Sequence, residues 1–300
     1  KHSTVRTEDV LDFDMKKFKW DRAQKESDLP KGRKYLFDEK SIVNAAFRPF
    51  NKVIMYFNRN LNNCVYQIPK LFPIPNLKNL VICVSGVGVT KEFSTIISDT
   101  LPDLELIGKS QCFPLYYYEE NNIVQKSLFD ADESQKYIRR DAISNFIFER
   151  AKQQYGKSVS KEDIFYYVYG FLHSKEYRET FANDLKKMLP RLPLVENVKD
   201  FWAFSKAGRR LAELHLNYES IAPSQDVTIT GDDGKYYTVD KMRFPKKDQK
   251  DTIIFNSHIT VCNIPAKAYE YVVNGKSAIE WIMERYQVTI HKESQIKNDP

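Results

Sequence analysis

The chain is poor in the residues that build most small metal sites and disulfide-bonded folds. Its 300 residues include four cysteines and five histidines, and Cys64, Cys83, Cys112 and Cys262 lie far apart without a Cys-x-x-Cys pair. Structural zinc needs ligands at short fixed spacings, and disulfide-bonded folds are much richer in cysteine. The sequence therefore predicts neither, and we expect Cys83 and Cys112 to be small buried side chains in a reducing cytoplasm.

Long hydrophobic runs are also missing. No stretch approaches the roughly 18 apolar residues that span a bilayer, and residues 1–4 show no signal-peptide pattern. The content of 42% hydrophobic and 13% aromatic residues is nevertheless enough to fill a substantial core. We therefore expect a folded cytoplasmic protein without membrane contact, and we interpret the chain as a piece of a longer polypeptide.

Patterns that bind nucleotides or activate nucleophiles are incomplete. The apolar residues 80–84 lead into Gly86 and Gly88, but the third glycine of a dinucleotide loop is missing, and no Gly-x-Ser-x-Gly motif occurs. Asp103 and Glu105 precede Lys109, but nuclease metal sites usually have a Glu-x-Lys pair two residues apart on one strand, whereas Glu105 and Lys109 are four residues apart. The sequence thus predicts no catalytic residue and no metal ligand in this chain.

The distribution of polar, β-branched and periodic apolar residues predicts an α+β fold in four parts. We predict that residues 1–40 form a lead-in segment with a helix around residues 7–25. We predict that residues 41–125 form a β-rich part, in which prolines and glycines separate short strands. Residues 126–220 predict a helical part. Residues 221–300 predict a β-hairpin at residues 226–239, further strands at 252–262 and a final helix from Ser277 to Tyr286.

Within the helical part, Ser160 and Asp163 have the spacing of a capping box, and apolar residues follow at helical intervals from Ile164 to Leu172. A second helix is predicted from Lys175 to just before Pro190, and a third over residues 198–217. The aromatic residues 165–169 could suggest a base-stacking platform, but on a helix their rings point in several directions, which favours core packing. His173 and His215 are expected to be hydrogen-bonded packing residues.

Four blocks stand in order along the chain, namely residues 47–51, residues 112–118, residues 164–178 with 190–194, and residues 271–281. Together they resemble the C-terminal specificity region of Type ISP and related Type IIG-like bacterial restriction-modification enzymes. The resemblance covers about residues 41–300. It implies that this chain recognises a sequence in double-stranded DNA, while methylation and cleavage belong to other parts of the polypeptide.

The resemblance also implies what the parent enzyme needs. Such an enzyme would methylate adenine N6 with S-adenosylmethionine and cut DNA with Mg²⁺, through upstream methyltransferase and nuclease domains. The Asn/Asp-Pro-Pro-Tyr/Phe motif that holds a flipped adenine does not occur in these residues, and neither does a helicase P-loop. We therefore expect no cofactor on this chain. The alternative is a scaffold that contacts proteins and not DNA, which predicts an exposed apolar patch and salt-insensitive binding.

The DNA contacts are predicted between the shared blocks, because family members that read different sequences must differ at the reading positions. Arginine, lysine, asparagine and glutamine read base edges, and lysines neutralise phosphates. Residues 235–250 combine six basic with two acidic side chains, although a solvated loop would look the same. The Asn-rich residues 58–63 could equally be a plain turn. The predicted contact residues are Asn58, Arg59, Asn62, Asn63, Ser85, Lys91, Lys109, Gln111, Lys235, Lys241, Arg243, Lys246, Lys247 and Lys250.

Overall fold

The computed structural model describes residues 10–17, 20, 27–28, 31–62, 64–121, 133–231, 234–239 and 241–299. Helices and several small sheets pack together in these residues, which confirms the predicted α+β class. Most of the helix predicted around residues 7–25 lies outside the described residues, and residues 15–17 form a turn. None of the helices in the described part of the chain has the length and apolar character needed to cross a membrane.

The predicted β-rich part contains two three-stranded sheets. Its elements are β1 (Ile42–Arg48), β2 (Asn51–Tyr56), α1 (Ile68–Leu71), β3 (Val81–Val84), β4 (Thr95–Ser98), β5 (Leu101–Pro102), β6 (Gln111–Pro114) and β7 (Tyr116–Glu120). Strands β1 and β2 form an antiparallel hairpin, and β5 adds to β1 in parallel. The second sheet has the order β4-β3-β6 and is antiparallel throughout. The strands predicted in residues 41–118 are confirmed.

Strand β3 is buried along its whole length, as its continuous apolar sequence indicates. Its side chains alternate between two cores, because successive residues of a strand point to opposite faces. Ile82 and Val84 pack with the helical part, and Val81 and Cys83 pack with the β1–β2 side of the molecule. The strand is thus the wall shared by both cores.

The helical part begins with a strand, contrary to the prediction. It comprises β8 (Tyr137–Asp141), which pairs with β7, and then α2 (Asn145–Tyr155), α3 (Lys161–Leu172), α4 (Lys175–Thr180), α5 (Ala182–Leu185) and α6 (Val198–Leu216). The single helix predicted between Lys175 and Pro190 is wrong, because the chain breaks at Phe181 into α4 and α5. The buried Tyr177 hydroxyl donates to the Arg191 carbonyl (3.0 Å), and this contact ties the break to the returning chain.

Helices α3 and α6 are in backbone contact at two glycines. A Cβ atom on Gly170 would lie 2.3 Å from the carbonyl oxygen of Phe204, and one on Gly208 would lie 2.0 Å from that of Tyr166. Around this crossing Tyr167 and Phe171 are buried, as the helical spacing predicted. The capping box at Ser160 is also confirmed, with the Asp163 carboxylate accepting from the Ser160 backbone N–H.

A buried polar network lies between α3, α6 and strand β4. The hydroxyl of Tyr169 accepts from the Ile97 N–H (3.1 Å) and shares a hydrogen bond with Nδ1 of His215 (2.5 Å). Nδ1 of His173 donates to the Tyr169 carbonyl (2.8 Å). Both histidines are therefore hydrogen-bonded packing residues, as predicted. Burial lowers the pKa of His173 to about 4, and burial together with the neighbouring His173 lowers the pKa of His215 to about 3.

The C-terminal part contains β9 (Thr228–Thr230), β10 (Ile253–Ile254), β11 (Thr260–Cys262), β12 (Val272–Val273), β13 (Lys276–Ser277), α7 (Ala278–Arg285), β14 (Thr289–Ile290) and β15 (Lys297–Asn298). The strands predicted at residues 252–262 are confirmed, as is the final helix, which begins with a capping box at Ser277. The hairpin β12–β13 and the pair β14–β15 are short antiparallel ribbons.

The β-hairpin predicted at residues 226–239 is wrong. Strand β9 pairs with β11, and residues 235–239 form no strand. Gly231 packs so closely on the 258–262 segment that a Cβ atom there would lie 2.0 Å from the His258 carbonyl oxygen. The side-chain amide of Asn256 donates to the carbonyls of Tyr236 (2.6 Å) and Thr238 (3.2 Å), which takes the place of a strand ladder. Residues 232, 233 and 240 lie outside the described residues.

Replacing Gly208 with alanine is expected to destabilise the protein. In a helix, alanine is ordinarily favoured over glycine by about 1 kcal/mol. Here the added methyl group would meet the Tyr166 carbonyl oxygen at 2.0 Å, so α3 and α6 would have to separate. We expect urea denaturation to show a net loss of about 1–3 kcal/mol in the free energy of unfolding. The exposed change Lys206→Ala on the same helix should stay within about 0.5 kcal/mol, and equal stability of Gly208→Ala and the unaltered protein would contradict the contact.

Acidification is expected to destabilise the fold through His173 and His215. Their pKa values are lowered to about 4 and about 3 in the folded protein, whereas each histidine of the unfolded chain titrates near 6.5. The unfolded state therefore binds more protons as the pH falls below about 6.5, and each histidine lowers the free energy of unfolding by about 1.4 kcal/mol per pH unit. Denaturation between pH 7 and 5 measures this slope. His215→Asn should make the slope shallower, and an unchanged slope in this variant would contradict the contribution of His215.

Candidate nucleic-acid interface

Two of the predicted contact segments meet at one end of the β4-β3-β6 sheet. Residues 85–91 form the loop between β3 and β4, and residues 108–109 form a turn just before β6. The Gly86 N–H donates to the Gly108 carbonyl (3.0 Å), and a Cβ atom on Gly86 would lie 2.2 Å from the Lys109 carbonyl oxygen. Only glycine permits this approach. Gly108 and Lys109 both have left-handed backbones, with φ of 85° and 48°.

A third turn, which was not among the predicted contact segments, joins these two. It is the tip of the β12–β13 hairpin, where Asn274 and Gly275 have φ of 49° and 82°. The Asn274 N–H donates to Oγ of Ser94 (2.8 Å), and a Cβ atom on Gly275 would lie 3.3 Å from Cδ of Lys91. Residues 85–91, 108–109 and 274–275 are called the three-turn cluster. An Asn-Gly pair between short apolar runs is a hairpin signal that could have revealed it.

Three lysines surround the three-turn cluster. Lys91 and Lys109 belong to its turns, and the Lys186 carbonyl accepts the N–H of Gly88 (3.1 Å). All three are exposed, and within the described residues none of them forms an ion pair with a carboxylate. By contrast, Lys276 beside the same turn is paired with Glu284. The cluster therefore presents uncompensated positive charge on a backbone that is rigidly held by its own hydrogen bonds.

Two other predicted residues of this region have different surroundings. Ser85 is buried, and its Oγ accepts from the Ser94 N–H (2.8 Å) and donates to the Ser94 carbonyl (3.2 Å), so it closes the loop. Gln111 is exposed at the start of β6, two residues after Lys109. Ser85 therefore has a structural role in the loop, whereas the side chain of Gln111 is accessible at the surface.

The predicted basic segment is anchored near the same place. Lys250 donates to Oε1 of Glu280 (3.0 Å) in the first turn of α7, and its ammonium lies 5.3 Å from the ring centroid of Tyr269. Partial burial opposes ionisation of Glu280, but hydrogen bonds from Ser277 and Lys250 lower its pKa overall. Only the two residues of β13 separate the Asn274–Gly275 tip from this helix, so Lys250 and the three-turn cluster are linked through the start of α7.

The other cationic side chains of the basic segment are exposed. The backbone of Arg243 exchanges two hydrogen bonds with Ile254, at 3.1 and 2.9 Å, which fixes the path of the chain next to β10. Lys250, at the end of the segment, is tied to α7 through its ion pair with Glu280. The exposed cationic residues before it are Lys235, Lys241, Arg243, Lys246 and Lys247.

The Asn-rich turn lies elsewhere. Asn62 accepts the Asn58 N–H (2.6 Å) and Asn58 accepts the Asn60 N–H (2.9 Å), so two side-chain amides are used to hold their own turn. Arg59 is exposed between them, and Asn63 lies outside the described residues. The turn follows the open end of the β1–β2 hairpin, whereas residues 103–110 run past its closed end.

One of the two carboxylates considered for metal binding is used in an ion pair. Asp103 accepts from Nη1 of Arg48 (3.0 Å), an ion pair that joins β1 to the segment after β5. Across the described ranges, no three His, Cys, Asp or Glu side chains are grouped so that they could hold a metal ion. Cys83 and Cys112 face each other across β3 and β6 as free thiols with their sulfur atoms 3.6 Å apart.

Comparisons with known proteins give a consistent picture. The family model described as "Type ISP C-terminal specificity domain" matches residues 1–300. No curated protein matches the chain. Among solved structures, the ATP-dependent Type ISP restriction-modification enzyme LlaBIII bound to DNA is 36% identical over 95% of this chain and 18% of its own, with a TM-score of 0.84.

Two further structures are similar. A nuclease-deletion mutant of the Type ISP restriction-modification enzyme LlaGI, in complex with a DNA substrate mimic, is 40% identical over 99% of this chain and 21% of its own, with a TM-score of 0.80. The DrdV–DNA complex is 31% identical over 93% of this chain and 27% of its own, with a TM-score of 0.78. The chain therefore spans between 18% and 27% of the length of these proteins.

Proposed function

The chain belongs to the family of Type ISP C-terminal specificity domains, and from this we propose that it recognises the target sequence of a restriction-modification enzyme in double-stranded DNA. The observation that carries the proposal is the similarity of nearly the whole chain to proteins whose structures were determined with DNA. The exposed cations of the three-turn cluster and of residues 235–247 support it, since a surface that binds a polyanion must keep such charges accessible.

The chemistry of the parent enzyme is proposed to lie outside this chain. Upstream methyltransferase and nuclease domains would methylate adenine N6 with S-adenosylmethionine and cut DNA with Mg²⁺. The carboxylates in the described residues do not form a set suited to Mg²⁺. The role of this chain would be to hold the duplex in one register, so that the target adenine reaches the methyltransferase domain.

Within the chain, phosphate contacts and base contacts are proposed to come from different residues. Lys91, Lys109 and Lys186 surround backbone turns that carry glycines, and a duplex can approach such turns closely. A lysine that contacts phosphate acts as a point charge, and a phosphate contact carries no sequence information by itself. We assign phosphate contacts to these three lysines and to the exposed cations of residues 235–247.

Lys250 and Ser85 receive structural roles in this proposal. Lys250 balances Glu280 and lies over the Phe244 and Tyr269 rings, so it anchors the basic segment to α7. Ser85 closes the loop that carries Lys91. Gln111 and Arg59 are the proposed base-reading residues, because both are exposed and both side chains can make paired hydrogen bonds to a base edge.

Replacing Lys246 and Lys247 together with alanine is expected to weaken the binding of all DNA sequences alike. Removing one lysine–phosphate interaction should also flatten the slope of log affinity against log salt concentration by about 0.9, and removing two should flatten it by up to about 1.8. Fluorescence-anisotropy titrations of the full-length protein at several salt concentrations measure both quantities. The pair Lys157→Ala and Lys199→Ala removes the same charge from exposed positions of the helical part and should leave the slope unchanged. An unaltered slope in the Lys246 and Lys247 variant would show that this segment does not touch DNA.

Replacing Gln111 with alanine is expected to relax the preference for one base pair without changing the salt slope. The loss of a paired hydrogen bond to a base edge should reduce discrimination by about 1–3 kcal/mol at that position. Binding selections from a randomised duplex library measure the preference at each position. Arg59→Ala should relax a different position. If both variants select the same sequences as the unaltered protein, base reading lies on other residues.

A further inference from the structure

Tyr236 and His258 form a stacked pair of rings at the surface. Their ring centroids are 4.3 Å apart and their planes are 14° from parallel. Tyr236 retains 48% of its exposure, and His258 is also exposed. A parallel pair of this kind presents a flat outer face, which is the geometry that aromatic side chains use to receive a nucleobase.

The pair is held by one asparagine that bonds both of its backbone segments. The Asn256 amide donates to the carbonyls of Tyr236 (2.6 Å) and Thr238 (3.2 Å). The Asn256 Oδ1 atom accepts from the N–H groups of His258 (2.8 Å) and Ile259 (2.7 Å). These four hydrogen bonds occupy both donors and both acceptor positions of the Asn256 side chain. They fix the backbone that carries Tyr236 relative to the backbone that carries His258. The rings are therefore arranged before any ligand arrives, which lowers the entropy lost on binding.

The aromatic residues that first suggested a stacking platform have a different environment. Phe165, Tyr167 and Tyr169 are buried in the helical core. Of the Tyr236–His258 pair, Tyr236 lies in the basic segment, with the exposed cations Lys235 and Lys241 nearby in the chain, and His258 lies between β10 and β11. Positive charge beside an open aromatic face combines the two features by which proteins bind single strands, namely attraction of the backbone and stacking of the base.

We propose that the Tyr236–His258 pair is a stacking platform for an unpaired nucleobase of bound DNA. The inference rests on the proposed DNA-recognition function and adds a ligand class that duplex reading does not require. An unpaired base exposes its flat face and can stack on the platform, whereas the bases of a fully paired duplex are already stacked on their neighbours and offer no free face. Because every base has a flat face, the platform would act on any sequence.

The test compares the affinities of the full-length protein for an oligothymidine single strand and for a duplex of the same length. Tyr236→Ala is expected to weaken single-strand binding by about 5- to 150-fold, the range that corresponds to the 1–3 kcal/mol of one stacked base. The affinity for the duplex should change less than about twofold. A strand containing 2-aminopurine gives a second readout, since stacking quenches its fluorescence and Tyr236→Ala should abolish the quenching.

Four further variants test whether the loss of binding is due to the aromatic ring of Tyr236 and to its fixed position. Tyr236→Phe keeps the ring and should bind like the unaltered protein, whereas Tyr236→Leu keeps the bulk and should behave like Tyr236→Ala. Tyr237→Ala removes the adjacent exposed tyrosine, which is not a member of the stacked pair, and should have no effect. Asn256→Ala should weaken single-strand binding through the loss of the fixed arrangement.

The outcomes separate this proposal from the function on which it rests. Single-strand affinity that is unchanged in Tyr236→Ala, or lost equally in the duplex and the single strand, would overturn the stacking platform while leaving duplex recognition intact. Failure of the unaltered protein to bind any duplex would overturn the proposed function itself.

Discussion

The close approach of helices α3 and α6 at Gly170 and Gly208 determines where the rest of the structure can lie. Two helices in backbone contact have little freedom to slide, because a side chain at either glycine would collide with a carbonyl oxygen of the other helix. Helix α3 carries Tyr169 to the N–H of Ile97, and α6 carries His215 to the hydroxyl of Tyr169. The helix pair is thereby fixed to strand β4 through a network that leaves few alternative registers.

Strand β3 connects the helix pair to the proposed DNA-binding surface. Its side chains alternate between the helical core and the core that contains Trp281 and Val273, so the strand is held from both faces. The loop after β3 then meets the turn at Lys109 and the tip of the β12–β13 hairpin. Exposed side chains that grip a duplex gain from such support, because little conformational freedom remains to be lost on binding.

Features specified by neighbouring residues could be predicted from the sequence. The two capping boxes, the apolar stripe of α3 and the β-branched strands all depend on interactions within a few residues. The hairpin at residues 226–239 could not be predicted correctly, since β9 pairs with β11 about thirty residues away and Asn256 holds the intervening segment. The charge of Lys250 illustrates the same limit at the site. Counting basic residues identified the segment, but not the Glu280 carboxylate that balances this lysine, nor the distant Asn274–Gly275 tip that completes the three-turn cluster.

The position of Trp281 has a consequence for the order in which the domain forms during synthesis. Its indole N–H donates to the Val273 carbonyl (2.8 Å), and both side chains fill the core on the far side of β3. Val273 and Trp281 therefore complete a core whose other buried members lie some two hundred residues earlier in the chain. Until α7 has been synthesised and has left the ribosome, Val81 and Cys83 cannot pack in a core that contains Trp281. Such distant contacts slow folding and expose apolar surface meanwhile, so an early stop before residue 281 would leave an aggregation-prone chain rather than a smaller functional domain.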